Sequence, residues 1–194
     1  HARPLLVIPA WINKFYILDL QPKNSFVKWA VDQGFTVFLM SWVNPTKDLA
    51  HKRFEDYLQE GVLAALDAIE QQTGMREVNA VGYCIGGILL ASGLAHMQAV
   101  GDDRIKSATF LVTIFDFEDD IGELGLFVDA AHLDAMEAHT RATGFLEGRH
   151  LANTFAMLRE NDLIWSFVVN NYLLGREPAA FDLLYWNSDA TRLP

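Results

Sequence analysis
The chain has 194 residues, 51% hydrophobic and 21% charged, enough to close one core and too apolar for a disordered polymer. A net charge of −10 argues against nucleic acid as a partner, because phosphate recognition needs a cationic footprint. The single Cys excludes a disulfide framework within the chain and fits a reducing compartment, and without a CxxC a thiolate metal site has no support.

Leu5–Pro9 is a continuous apolar run and predicts a buried strand. Asn24–Gln33, stopped by Gly34, predicts a helix with Phe26, Trp29 and Ala30 turned inward. Phe35–Ser41, rich in aromatic and β-branched residues, predicts a second strand. Phe54, Tyr57, Leu58, Val62, Ala65, Leu66 and Ile69 recur at helical spacing, opposite Glu55, Asp56, Glu60, Asp67 and Glu70. That pattern predicts one long amphipathic helix ending at Gly74. Val78–Tyr83 predicts a third strand, the small-residue run after Cys84 a helix, and Ser107–Phe115 a fourth strand. Buried strands alternating with helices imply a parallel sheet covered on both faces. Ala80–Ala95, the most apolar stretch, is too short and Gly-rich to span a bilayer and belongs in the core.

Past Asp116 the pattern changes. From Ile121 to Gly175 there are helical periodicities and loop signals but no strand pattern. Phe155, Leu158, Leu163, Ile164, Trp165, Phe167, Val168 and Tyr172 are expected to form an apolar helical face turned to a core or a partner subunit. The expected division is a partial α/β core over residues 1–117 and a mostly helical cap, with the start of a return to the core, over 118–194.

Gly82-Tyr83-Cys84-Ile85-Gly86-Gly87 joins the third strand to its helix. The spacing alone is weak, since Gly144 and Gly148 repeat it around Phe145-Leu146-Glu147. The context is what distinguishes it: a buried strand before, a helix after, and the chain's one thiol between. This is the layout of a nucleophile elbow with Cys in the place of Ser. The thiol stands at a helix N-terminus, where unpaired N–H groups favour negative charge. A buried structural Cys is the alternative.

An attacking thiol needs donors for the developing oxyanion and a base. The backbone N–H of Ile85 is the first donor, and the loop Ala10–Asn13 after the first strand is the expected second, with Trp11 and Ile12 as candidates. His96, His132, His139 and His150 follow Cys84, but none follows a predicted strand, so a surface or cap role is expected of them. Asp116 follows the fourth strand, as an orienting acid would.

The elbow box, together with Pro9–Leu20, Val37–Trp42, Asn44-Pro45, Leu151–Phe155, Arg159–Trp165 and Phe181–Asn187, resembles the polyhydroxyalkanoate synthases, most closely class I, over almost the whole chain. Ala10 departs from the Pro expected there, inside the loop that should supply the second donor. The resemblance implies a partial α/β-hydrolase core with a helical cap. It implies an acyltransferase that polymerises (R)-3-hydroxyacyl-CoA into polyester with release of CoA, Cys84 carrying the growing chain as a thioester. It further implies no cofactor or metal, CoA entering only as substrate, and a homodimer at the surface of cytoplasmic polymer granules. The family's triad Asp and His are expected beyond Pro194, so the chain reads as an internal fragment, inactive alone. Lys14, Lys23, Lys28 and Arg53, in the near-neutral first third, are the expected approach for anionic CoA. Two other readings stand beside this one: a Cys hydrolase or thioesterase of the same fold, and a non-catalytic binding module.

Overall fold
Four short apolar runs pair into one parallel sheet: β1 (Leu5–Ile8), β2 (Val37–Leu39), β3 (Val78–Tyr83) and β4 (Ile105–Leu111), in the order β2-β1-β3-β4. The computed structural model describes residues 2–116, 130–148, 150, 164–177, 185–186, 189 and 191–194. Leu6 of β1 pairs with Phe38 on one side and Ala80 on the other, and Val81 pairs with Thr109. All pairings are parallel, so the C-terminal ends of the strands share one edge, where open α/β sheets bind their ligands.

Both faces of the sheet are covered, as the alternating pattern predicted. Leu5, Val7 and Val81 pack on Ala30 of α1 (Phe26–Asp32), with Phe26, Val37, Leu39 and Leu111 around them. On the other face, Leu6, Phe38 and Met40 line a shallow cavity together with Ala65, Ala68 and Ile69 of α3 (Ala64–Thr73). The helix after the elbow, α4 (Ile85–Val100), lies close to that layer: a Cβ at Gly93 would sit 2.9 Å from Leu58 Cδ1. Local chemistry sets the helix ends. Ser25 Oγ accepts the Lys28 N–H at 2.7 Å and donates to Asp19 at 2.5 Å, capping α1. Gly74 stops α3 in the left-handed conformation, φ 70°.

The structure corrects several expectations. Trp29 is 56% exposed: Phe26 and Ala30, four apart, face the sheet, and the Trp29 indole instead stacks on Phe26 at 5.8 Å. The second strand is only Val37–Leu39. The long helix is interrupted: α2 (Phe54–Asp56) runs into a π-helical segment, Tyr57–Leu63, before α3 begins. The fourth strand runs from Ile105 to Leu111, because Val112 turns to φ 52°, outside strand geometry.

The edge of the sheet opposite the strand C-termini carries ion pairs. Arg3 ahead of β1 meets Glu77 ahead of β3 at 2.8 Å, and Asp103 ahead of β4 meets Arg76 at 2.6 Å and Lys106 at 2.8 Å. Asp102 and Arg104 form a two-pronged pair, Nε and Nη2 both reaching Oδ2, at 2.9 and 2.7 Å.

Two compact units emerge, His1–Val43 with His51–Asp116, and Asn44–Ala50 with Phe117–Pro194. The second contains α5 (Ala130–Thr143), a π-helical turn Val168–Leu173, and an antiparallel bridge between Leu146 and Leu193. Arg192 donates its N–H to Asn44 Oδ1 at 2.8 Å and lays its guanidinium over Phe145. Among the described residues this unit contains no strand. Among the described residues of the expected apolar face, Ile164, Trp165, Phe167 and Tyr172 are exposed, and Phe167 packs edge-on to Tyr172. Phe155, Leu158, Leu163 and the motifs over 151–155, 159–163 and 181–184 lie outside the described residues.

Candidate active site
β3 ends at Tyr83 and α4 starts at Ile85, leaving one residue to turn the chain. That residue is Cys84, at φ 55° and ψ −126°, a conformation that crowds the Cβ of any L residue. The surroundings hold it there. Cys84 N–H donates to the Leu111 carbonyl at 2.9 Å, and the Cys84 carbonyl accepts the Gly87 N–H at 2.8 Å and the Thr113 hydroxyl at 3.5 Å. With that carbonyl directed into the first turn of α4, the planar trans peptide points Ile85 N–H out of the helix end.

The three glycines of the box are steric requirements. A Cβ on Gly82 would stand 2.5 Å from Gly87 Cα, one on Gly86 2.6 Å from the Pro9 oxygen, and one on Gly87 2.9 Å from Thr113 Cγ2. Gly86 therefore brings the start of α4 against the end of β1. This sets the loop Ala10–Asn13 beside the elbow, Trp11 buried and Ile12 half-buried. Gly144, of the look-alike pair, follows α5 in the left-handed conformation, φ 87°, a helix stop with no elbow.

Sequence reasoning missed the aromatic group behind this loop. Trp42 Nε1–H donates to the Pro9 carbonyl at 2.9 Å, and its ring meets Trp11 edge-on at 5.4 Å. Trp11 stacks on Tyr57 at 4.4 Å, and burial raises the Tyr57 phenol above its ordinary pKa. Burial, and then the charge of the neighbouring Cys84, raise the Tyr83 phenol as well. Trp42 had one signal in the sequence, its place in the stretch Val37–Trp42.

The remaining candidates are distributed over both units. His96 is in the last turns of α4, about 18 Å along the axis from Cys84 at the usual helical rise. His139 and His150, in the second unit, meet edge-on at 5.4 Å. His132 is in α5, its side chain outside the described residues. Asp116 is exposed beyond the strained Val112. Lys28 is paired with Asp32 at 2.6 Å. Among the described residues no three His, Cys, Asp or Glu side chains gather as a metal site would require.

Residues 1–30 match the family model described as the N-terminus of poly-beta-hydroxybutyrate polymerase (PhaC). A poly(3-hydroxyalkanoate) polymerase subunit PhaC from Rhizobium meliloti (strain 1021) is 58% identical over 192 residues, 99% of this chain and 31% of its own length. The poly(3-hydroxyalkanoate) polymerase of Methylorubrum extorquens is 56% identical over 192 residues, 99% of this chain and 32% of its own. The PhaC subunit of Cupriavidus necator is 46% identical over 200 residues, all of this chain and 34% of its own. The chain is a relative of the poly(3-hydroxyalkanoate) polymerases. It spans about a third of the length of the curated polymerases it matches. A solved structure from Sulfolobus solfataricus, assigned as a lipase, superposes with a TM-score of 0.58 at 13% identity, over 99% of this chain and 64% of that one. At that identity the likeness speaks for the fold alone, and it agrees with the partial α/β-hydrolase architecture expected from the sequence.

Proposed function
We propose that this chain is the nucleophile-bearing part of a polymerase that builds polyester from (R)-3-hydroxyacyl-CoA. The observation that carries the reading is Cys84, a lone thiol fixed in a strained turn at a helix N-terminus, in a chain related throughout to such polymerases. Cys84 gives its proton to the base and its thiolate attacks the carbonyl carbon of the CoA thioester; the oxyanion forms opposite Ile85 N–H and the Ala10–Asn13 loop, and the CoA thiolate leaves and takes that proton back to become the thiol. One thioester replaces another, so the acyl group stays activated, whereas Ser would hold it as a less reactive oxygen ester. The hydroxyl of the next unit then attacks the acyl-Cys84 thioester and gives its proton to a base. Neither step needs a metal or a redox cofactor. The base and its acid partner are assigned to a His and an Asp outside this chain.

The same reading makes the protein a cytoplasmic homodimer working at the surface of its polymer granules. The exposed Trp165, Phe167, Tyr172 and Leu173 support an apolar partner for the helical unit, which acts as a cap. No helix among the described residues is long and apolar enough to cross a membrane.

A thioesterase would use the same elbow. CoA release from 3-hydroxybutyryl-CoA by the full protein, with the acyl group recovered in polymer, is the expected result. Free acid in place of polymer would favour the hydrolase. Cys84→Ala should abolish CoA release while the protein stays folded; polymer made by that variant would end the assignment.

A further inference from the structure
Trp42 and Gly86 meet at one atom. The indole donates to the Pro9 oxygen at 2.9 Å, and a Cβ on Gly86 would lie 2.6 Å from that same oxygen. The Pro9 carbonyl, one residue past the end of β1, is thus boxed between the first turn of α4 and the Trp42 ring. A peptide unit is planar and trans, so fixing a C=O fixes the N–H of the next residue in the opposite direction. The following residue is anchored as well: Trp11 is 5% exposed, edge-on to Trp42 and stacked on Tyr57. Tyr57 opens the π-helical segment, and a Cβ on its Gly61 would stand 2.6 Å from Trp42 Cζ3 and 2.7 Å from Cη2. The indole is therefore held from below by a glycine with no room for a side chain, and it holds the Pro9–Trp11 segment in turn. π-Helical segments of this kind recur at functional sites.

Resting on the acyl-transfer reading above, we propose that Trp42 is a positioning residue for the oxyanion site. It does not touch substrate; through the Pro9 carbonyl and the Trp11 ring it sets the direction of the loop N–H groups that face the oxygen of the acyl group on Cys84.

The test replaces Trp42, in the full protein, with β-(3-benzothienyl)alanine, which keeps the ring shape and puts sulfur in place of N–H. A second variant, Gly61→Ala, leaves the indole intact and pushes a methyl group into it. Three quantities are read: kcat and KM for CoA release from 3-hydroxybutyryl-CoA, the rate of Cys84 alkylation by iodoacetamide, and the melting temperature. Alkylation forms no oxyanion, so it reports the thiol alone. Loss of the N–H should lower kcat about 10- to 100-fold while KM and the alkylation rate stay within about twofold, because a misdirected donor weakens only the transition state. Gly61→Ala should move kcat in the same direction. An unchanged kcat in the benzothienyl variant overturns the proposal. So does a parallel fall in alkylation and melting temperature, which would mark Trp42 as a structural residue. If the unsubstituted protein is alkylated normally yet releases no CoA, the acyl-transfer reading itself has failed, and this inference with it.

Discussion
Cys84 is held where its own Cβ is unwelcome, and the neighbouring glycines are held where none would fit. A conformation of this kind costs about 1–3 kcal/mol, offset here by the Leu111, Gly87 and Thr113 hydrogen bonds. Removing the Cβ relieves it. Cys84→Gly should be more stable than Cys84→Ala by about 1 kcal/mol in urea unfolding, since only Gly occupies that backbone region without strain. Equal stabilities would mean that no strain is stored at the turn. Gly86→Ala should go the other way, by about 3 kcal/mol, because its methyl would meet the Pro9 backbone rather than a side chain that can swing aside. The glycine spacing was legible in the sequence, but the reasons for Gly86 and Gly87 were not. They lie in contacts with Pro9 and Thr113, residues far away in the chain. Trp42 was hidden for the same reason, as its partner carbonyl is that of Pro9.

At the scale of elements, a hydrophobic pattern marks a strand or helix more securely than its ends. The sequence bounds of Val78–Tyr83 coincide with those of β3, because turn and charge signals close both sides. β4 ends early because nothing about a β-branched residue announces a positive φ at Val112. The π-helical segment went unseen because Phe54, Tyr57, Leu58 and Val62 suit a widened turn as well as an ordinary one. Trp29 was misplaced because neighbouring positions on a short helix face 100° apart, and the stripe has room for Phe26 and Ala30. A cap, by contrast, can be tested directly. Ser25→Ala leaves the Lys28 N–H without its acceptor and Asp19 without the hydroxyl, and should cost about 1 kcal/mol; thermal unfolding of that variant beside Ser25→Asn, which can still cap, makes the comparison. No difference between the two would place the role of Ser25 elsewhere.

For the molecule as a whole, the two edges of the sheet do different work. The strand C-termini carry the elbow, and the opposite edge carries the charge network. Arg104 holds Asp102, Lys106 and then Arg76 hold Asp103, and Arg3 holds Glu77, each below the usual carboxylate range. The unfolded chain takes up those protons near pH 4 and the native one only below it. The stabilisation is therefore complete above about pH 4 and is lost as pH falls through the lowered native values. Urea midpoints should be level from about pH 7 to 5 and then drop, and Asp102→Asn should flatten part of that drop, its pair with Arg104 being the best shielded, at 18% and 13% side-chain exposure. An unaltered acid profile in that variant would remove Asp102 from the account. High salt should weaken the exposed Arg3–Glu77 and Arg76–Asp103 pairs first. The strand order carries one more consequence, for the birth of the protein. β1 lies in the middle of the sheet, with Leu5 joined to Val37 on one side and to Asn79 on the other. A ribosome adds about 5–20 residues per second, so once β2 is made the nascent chain carries the greasy Leu5–Ile8 segment with one flank open for roughly 2–9 s before β3 emerges to close it. Translation speed between Val37 and Val78, and the chaperones at the exit tunnel, then help decide how much of the chain reaches its native sheet and how much is lost to self-association.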